Sequence, residues 1–180
     1  MSLLTYLKST LNNTFEEFDS SPFTLTEPAN ITGCLGVTIE SKFPDILVYK
    51  VDVSKKDVNG NYIEKFPFFN SGDYKSICDY LIFYEKENVL YVLACELKSS
   101  TTKGAKNQLY AGLLLSDYFI KTAKRCNDNF EQPIKYKALL FSTRDVYKEM
   151  TPDKFFSDVH GTKFGEFLCN CEYSLDSFCH

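Results

Sequence analysis

Three charged residues near the middle of the chain, Asp79, Glu96 and Lys98, have types and spacing suited to chemistry on a phosphate. Two carboxylates held together repel each other and lose hydration when buried, so a bound divalent cation would stabilise them. Mg²⁺ prefers such hard oxygen ligands, completed by water and substrate phosphate. With Lys98 as a fixed positive charge beside it, a metal would polarise a phosphate and activate water for phosphodiester hydrolysis.

A predicted β-hairpin would position these groups. Asp79 lies in an apolar run over 76–84, Glu96 and Lys98 close a second run over 89–98, and a short polar break separates the runs. If residues 87–88 form the turn, the register places Asp79 opposite Glu96, with Cβ atoms about 5 Å apart on one face. Lys98 follows Glu96 by two residues and therefore points to the same face.

An ordinary salt bridge at a strand end is the competing interpretation of a Glu-x-Lys tripeptide. The chain has a second such tripeptide at 40–42, but no acidic residue on a preceding apolar strand faces it. Asp73 is a second candidate for the first acid, although it stands in a loop-like stretch. The register and the apolar flanks on both sides favour Asp79 and Glu96 as the pair that does chemistry.

This arrangement resembles the PD-(D/E)XK nuclease superfamily, in which an acidic residue near one strand is followed on the next strand by Glu/Asp-x-Lys. Asp79 matches the first acid, and the tripeptide 96–98 matches the second motif, whereas Cys78 stands where the family has proline. The resemblance spans about residues 76 to 120.

The resemblance implies roles for four residues. Asp79 and Glu96 would hold Mg²⁺ or Mn²⁺, with the backbone carbonyl of Leu97 as a further ligand. Lys98 would orient the attacking water and offset charge on the scissile phosphate. The resemblance therefore implies a metal-dependent nuclease, with defence, restriction and repair all compatible with the motif.

A predicted helix over 105–124 follows the second run after a short loop. Its first turn carries Lys106 and Gln108, and a helix N-terminus with basic and amide side chains suits a phosphate. Several branches of the superfamily place a glutamine at the start of this helix, so the resemblance implies a catalytic role for Gln108. Lys103 or Lys106 would contact nucleic acid. A solvated helix residue is the alternative for Gln108.

Residues 2–18 are predicted to form an amphipathic helix, with Glu16 and Glu17 beside its apolar stripe. In the superfamily an acidic residue from the first helix often joins the metal site. The resemblance therefore implies that Glu16 or Glu17 contributes a ligand, and two solvated glutamates are the alternative.

The order of predicted elements is helix, strands, core hairpin, helix, strand and helix. It indicates an α/β fold with a mixed central β-sheet flanked by helices, consistent with the restriction-endonuclease-like core that the resemblance implies, in a single domain over 1–180. The strand after the long helix should run parallel to the second hairpin strand through a right-handed crossover. Other predicted elements are strands at 35–39, 46–53 and 134–141, a hairpin turn at Asn59-Gly60 leading to 62–66, and a helix from Thr151.

Charge is unevenly distributed along the chain, whose net charge is −4. Residues 97–148 hold ten Lys or Arg against four Asp or Glu, whereas residues 1–96 hold eight against fourteen. A phosphate track in the basic block is one interpretation, and solvated helix and strand charges are the other. We expect DNA rather than RNA as partner, and a homodimer would suit the cutting of two strands. The basic side chains concerned are Lys103, Lys106, Lys121, Lys124, Arg125, Lys135, Lys137 and Arg144.

Cysteine usage and hydropathy bear on location. The seven cysteines are an odd number, and several lie in predicted strands, which suits buried thiols in a reducing compartment and predicts a cytoplasmic protein. No apolar run is long enough for a membrane span and no secretory signal is evident, so we expect no membrane partner. Four soft ligands near the C-terminus, with spacing that fits no standard zinc site, are Cys169, Cys171, Cys179 and His180.

Two functions of other classes stay open at this point. A catalytically inactive nuclease-fold module would bind nucleic acid with strong salt dependence and without a requirement for Mg²⁺. A structural or protein-interaction domain would have no metal affinity at the carboxylate pair. Titration with Mn²⁺ separates them, because the nuclease interpretation requires a metal site that Asp79→Asn removes.

Overall fold

Two α-helices, ten strands and a short 3₁₀ helix make up the part of the chain that the computed structural model describes. The described residues are 1–11, 16–26, 33–42, 45–52, 76–99, 102–127, 129–143, 156–159 and 162–179. In chain order the elements are α1 (Leu3–Thr10), β1 (Glu16–Phe18), β2 (Phe23–Leu25), β3 (Val37–Glu40), β4 (Ile46–Lys50), β5 (Tyr80–Lys86), β6 (Val89–Lys98), α2 (Ala105–Cys126), β7 (Ile134–Ser142), β8 (Phe156–Val159), β9 (Thr162–Leu168), β10 (Glu172–Ser174) and the 3₁₀ helix (Leu175–Phe178).

A seven-stranded mixed sheet in the order β1-β4-β5-β6-β7-β9-β8 is the frame of the molecule. Strands β4, β5 and β6 are antiparallel neighbours, whereas β6, β7 and β9 are parallel. Helices α1 and α2 cover one face, and a second sheet in the order β10-β3-β2 covers the other together with the 3₁₀ helix. The predicted α/β class with a mixed sheet is confirmed, and coverage of both faces explains why β5 and β6 carry apolar residues on both sides.

The hairpin of β5 and β6 forms in the predicted register, with Lys86 opposite Val89. Glu87 and Asn88 occupy the two turn positions, with φ of 51° and 61°. Positive φ at both central residues defines the type I′ turn, whose twist matches that of paired strands. The turn therefore fixes the pairing of every residue along the hairpin, including the charged residues at its far end.

Helix α2 lies close against the hairpin at Gly112. A Cβ atom at this position would lie 2.3 Å from Cys78 Sγ and 3.4 Å from a methyl group of Leu81. Only a residue without a side chain permits this approach. Leu109 and Leu113 from the same helix are buried in the core. The helix then leads to β7, which runs parallel to β6 as predicted.

The predicted helix over 2–18 is wrong in its second half. Helix α1 ends at Thr10, and residues 16–18 form strand β1, which pairs with β4. The sequence between them, Asn12-Asn13-Thr14, is rich in residues whose side chains compete with the helical backbone for hydrogen bonds. The predicted strand over 46–53 ends at Lys50.

Other predicted elements fall on or beside undescribed residues. The turn at Asn59-Gly60, the strand over 62–66 and the candidate Asp73 lie outside the described residues. The same is true of the start of the helix predicted from Thr151, but residues 156–159 form strand β8 and not a helix. Among the described residues, neither helix is long and apolar enough to cross a membrane.

A disulfide joins Cys34, ahead of β3, to Cys169, directly after β9. A zinc site that uses Cys169 is therefore ruled out, since a metal ligand must be a thiolate. Cys78 and Cys95 are buried free thiols, as predicted. Disulfides persist mainly in oxidising compartments, so this bond departs from what a cytoplasmic chain would show, and the cytoplasmic location stays a prediction.

Loss of the Cys34–Cys169 bond is expected to lower the free energy of unfolding by about 2–4 kcal/mol, because the cross-link restricts the unfolded chain. The bond closes a sequence separation of 135 residues. Urea unfolding of the double variant Cys34→Ser/Cys169→Ser measures the loss, with Cys126→Ser, an exposed free cysteine, as the matched control. Equal unfolding midpoints for the two variants would contradict the expectation.

Candidate active site

The predicted pair of carboxylates meets where β5 begins and β6 ends. The backbone N–H of Asp79 donates to Glu96 Oε2 at 3.2 Å, and the backbone N–H of Leu97 donates to Asp79 Oδ2 at 2.7 Å. Each carboxylate is thus held by a backbone N–H from the other side of the hairpin, one step beyond the last pair of the ladder, Tyr80 and Cys95. The two acids lie side by side, as the hairpin register predicts.

Lys98 completes the cluster on the side nearest solvent. Its ammonium contacts Glu96 Oε1, while its side chain is 24% exposed. Glu96 is fully buried and Asp79 is 8% exposed. Exposure therefore increases from Glu96 to Asp79 to Lys98, so the positive charge lies nearest to solvent. We refer to Asp79, Glu96 and Lys98 below as the charged cluster.

Burial and repulsion act together on Glu96. The pKa of Glu96 is raised to about 8, first by loss of hydration and second by the nearby charge of Asp79, while the bond to Lys98 opposes the rise. Ionised together, the two carboxylates are an unfavourable arrangement in the folded protein. A divalent cation would stabilise the doubly ionised pair more effectively than the single ammonium of Lys98.

Backbone bonds from two elements hold the peptide of Asp79 in place. Its carbonyl accepts from the N–H of Val51, just beyond β4, at 2.9 Å. Next to it, the N–H of Cys78 donates to the carbonyl of Gln108 in the first turn of α2, at 3.1 Å. The first acid of the cluster is therefore fixed by the neighbouring strand and by the helix, not by a flexible loop.

Gln108 lies close to the segment that carries Asp79, and its contacts are with backbone. Its side-chain Nε2 donates to the carbonyl of Ile77 at 3.3 Å, and the residue is half-buried. The alternative of a solvated helix residue does not describe it. These bonds give Gln108 a positioning role, and its contact with phosphate or water stays a prediction.

Two residues that sequence reasoning missed share the face of the charged cluster. Ser142 pairs with Lys98 in the β6–β7 register, and its hydroxyl donates to Glu166 Oε1 of β9 at 3.1 Å. Glu166 pairs with Leu140, which pairs with Glu96. Ser142 directly follows the predicted strand over 134–141, and this position could have placed it beside the end of the hairpin. For Glu166 the sequence predicts no strand, so its position could not be inferred.

The remaining predicted ligands are placed as follows. Leu97 donates its N–H towards Asp79, and its carbonyl faces the same side because both groups of one residue point to the same neighbour in a strand. Glu16 and Glu17 lie in strand β1 and not in the first helix, and their side chains fall outside the described part of the chain. Their ligation of a metal therefore stays a prediction.

The predicted basic residues that the structure describes do not form one track. Lys103 and Lys106 lie at the start of α2, where Gly104 caps the helix without a side-chain hydrogen bond. Lys121, which pairs with Asp117, and Lys124 lie about 25 Å further along the helix at 1.5 Å per residue. Arg125 lies beside them. On β7, Lys137 points to the face of the sheet away from α2, and Lys135 lies over the Tyr91 ring. Arg144 falls outside the described residues.

Few donors are available at the charged cluster for the metal that the resemblance implies. Within the described ranges, no group of three or more His, Cys, Asp and Glu side chains is placed to hold a metal ion. Two carboxylates and the Leu97 carbonyl remain. That set suits Mg²⁺ or Mn²⁺, which retain several waters and need few protein ligands, better than an ion that requires a closed cage of side chains.

Fold and site together define an α/β protein with a buried carboxylate pair and a lysine at one end of a mixed sheet. Comparison with protein-family models, with curated proteins and with solved structures finds no match to this chain. The geometry of the charged cluster is therefore the basis on which a function can be assigned.

Proposed function

We propose that this chain is a metal-dependent nuclease of the PD-(D/E)XK type that hydrolyses phosphodiester bonds. The observation that carries the proposal is the buried pair of Asp79 and Glu96, with Lys98 in contact with Glu96. The Glu96 carboxylate accepts from the backbone N–H of Asp79, and the Asp79 carboxylate accepts from the backbone N–H of Leu97. An ordinary salt bridge needs one acid, whereas here a second acid is buried beside the first against its repulsion.

Asp79 and Glu96 would hold Mg²⁺ or Mn²⁺, with the Leu97 carbonyl as a further ligand. Bound there, the metal would supply Lewis acidity and a water of lowered pKa. The pair is already fixed by backbone N–H groups, so little reorganisation is needed when the ligands are engaged. The raised pKa of Glu96 means that metal binding would displace a proton or the ammonium contact.

Lys98 lies on the solvent side of the pair, where a phosphate would approach. Its ammonium would orient the attacking water and offset the charge that develops on the scissile phosphate. Lys103 and Lys106, in the turn before α2 and in its first turn, would contact the nucleic-acid backbone. The proposed partner is nucleic acid, with DNA preferred, and a homodimer would suit cleavage of two strands.

Cleavage by the purified protein tests the proposal. Single- and double-stranded DNA and RNA are incubated with Mg²⁺, with Mn²⁺ or with EDTA, and we expect cleavage with metal and none with EDTA. Asp79→Asn should remove it while the fold is kept, since the amide oxygen can still accept from Leu97. The matched control is Asp45→Asn, an exposed carboxylate outside the cluster. Failure to cut any of these substrates with either metal contradicts the proposal.

Calorimetric titration with Mn²⁺ distinguishes the nuclease from the two alternative functions. The nuclease should release or absorb heat at a site that Asp79→Asn removes and Asp45→Asn leaves intact. Salt-dependent binding of nucleic acid without measurable Mn²⁺ affinity would instead favour a catalytically inactive module of the same fold. If the protein binds neither metal nor nucleic acid, a protein-interaction domain is the remaining alternative.

A further inference from the structure

A groove leads away from the charged cluster between the first turns of α2 and strands β7 and β9. It contains two cavities of about 270 Å³ and 360 Å³, which we call the inner and the outer cavity. They share the lining residues Lys106, Asn107 and Phe164, so they lie next to each other. The inner cavity is also lined by Thr102, Gly104, Leu140 and Glu166, and the outer cavity by Tyr110, Leu113, Ala138 and Thr162.

The inner cavity borders the charged cluster. Leu140 is the register partner of Glu96 on the neighbouring strand, and Glu166 is the partner of Leu140 on the next strand. All three side chains lie on the face of the sheet that α2 covers. The groove therefore starts beside the proposed site of cleavage and ends in the outer cavity.

The outer cavity combines aromatic and apolar walls with a polar rim. Tyr110 is 48% exposed and supplies a ring for stacking, whereas the buried Phe164 ring, Leu113 and Ala138 supply apolar walls. The ammonium of Lys106 lies 4.9 Å from the centre of the Phe164 ring. A flat ring with polar edges and an attached negative charge fits such a site, because it stacks on aromatic side chains while the charge meets a basic residue.

Size and charge favour a nucleobase as the occupant. The outer cavity falls within the range of about 300–1,000 Å³ that small-ligand pockets span. Lys106 is exposed at the rim, and Lys103 is exposed nearby in the turn before the helix. Glu166 is the acidic residue of the groove, and one of its oxygens accepts from Ser142. Its charge disfavours a phosphate at that point, so the sugar of the strand would pass it.

We propose that the outer cavity receives an unpaired base of the strand whose phosphate reaches the charged cluster. The substrate would then be single-stranded or locally unpaired nucleic acid, since a base inside a duplex cannot enter a pocket without leaving the stack. This inference rests on the proposed nuclease function for the position of the scissile phosphate. The binding of a base in the outer cavity does not itself require cleavage.

Binding measured in EDTA separates the two proposals. Fluorescence anisotropy compares a labelled single-stranded oligothymidine with a labelled blunt-ended duplex of equal length, using the full chain. The wild type should prefer the single strand. Tyr110→Ala should weaken single-strand binding by about 10-fold, which is the scale of one stacked base, and should leave duplex binding unchanged. Tyr110→Phe should retain the wild-type affinity, because the ring is kept.

Tyr118→Ala is the matched control, since Tyr118 is an exposed tyrosine of the same helix outside the cavity. Equal losses in the two alanine variants, equal affinity of the wild type for single strand and duplex, or no binding at all would overturn the inference. If one of these outcomes is found but the wild type cleaves duplex, the base site is rejected and the nuclease proposal is kept. A Tyr110→Ala effect in a protein that cuts nothing would instead remove the nuclease proposal and keep the base site.

Discussion

Lys98→Ala is expected to lower the rate of Mg²⁺-dependent phosphodiester cleavage by about 10²–10⁴-fold, the usual effect of removing one group that stabilises a transition state. The expected loss follows from the position of the lysine. Lys98 is the positive charge on the solvent side of two buried carboxylates, where the proposed substrate phosphate would arrive. Cleavage of a labelled oligonucleotide under single-turnover conditions measures the change in the chemical step.

The variant Lys42→Ala gives a matched control, because Lys42 is exposed and closes the second Glu-x-Lys tripeptide of the sequence. Loss of Lys98 leaves Glu96 buried without the ammonium, but the carboxyl can take up a proton, which limits the loss of stability. Thermal unfolding of both variants checks that the fold is kept. A Lys98→Ala protein that retains more than a tenth of the wild-type rate would show that the lysine is structural.

Glu96→Gln is expected to make the protein more stable than the wild type at pH 8 and about equally stable near pH 5. The pKa of Glu96 is raised from 4.5 to about 8, first by burial and then by Asp79. Between these values the folded wild type retains a proton that the unfolded chain has released. Its stability therefore falls as the pH rises from about 4.5 to about 8, by roughly 2–4 kcal/mol. Glutamine is neutral throughout and lacks this dependence.

Urea unfolding in EDTA at pH 5, 6.5 and 8 measures the difference, with Glu40→Gln, an exposed glutamate, as the control. The glutamine at 96 can still accept from the N–H of Asp79, and the partly exposed Lys98 can turn to solvent. Adding Mg²⁺ at pH 8 should narrow the gap, because an ion that binds only the folded site stabilises the wild type. Parallel pH profiles for the wild type and the variant would refute the proposed burial of a titrating acid.

The hairpin and its charged cluster were predictable because their contacts are local. A two-residue turn fixes the register, and the register alone sets Asp79 opposite Glu96. The long helix and the parallel strand after it were predictable for a similar reason, since apolar periodicity and crossover handedness are properties of one short stretch. The centre of the fold and the geometry of the proposed site could thus be predicted from the sequence.

Contacts distant in sequence were not predictable. The pairing of Cys34 with Cys169 spans most of the chain, and seven cysteines allow many pairings. Glu166 lies in a strand with Gly165 in its interior, where a glycine weakens the strand signal. The first helix was predicted too long because its apolar spacing continues past Thr10, whereas the pairing of residues 16–18 with β4 determines the structure there.

The contact between Gly112 and Cys78 has a mechanical consequence. Helix α2 meets the segment before Asp79 without an intervening side chain, and Gln108 is bonded to the same segment. On its other side the helix carries Tyr110 along the outer cavity. Tyr110 lies between Gln108 and Gly112 in sequence, so the part of α2 that borders the outer cavity is the same part that packs against the segment before Asp79. We expect a bulkier side chain at position 112 to displace this part of the helix and to disturb both the cavity and the first acid.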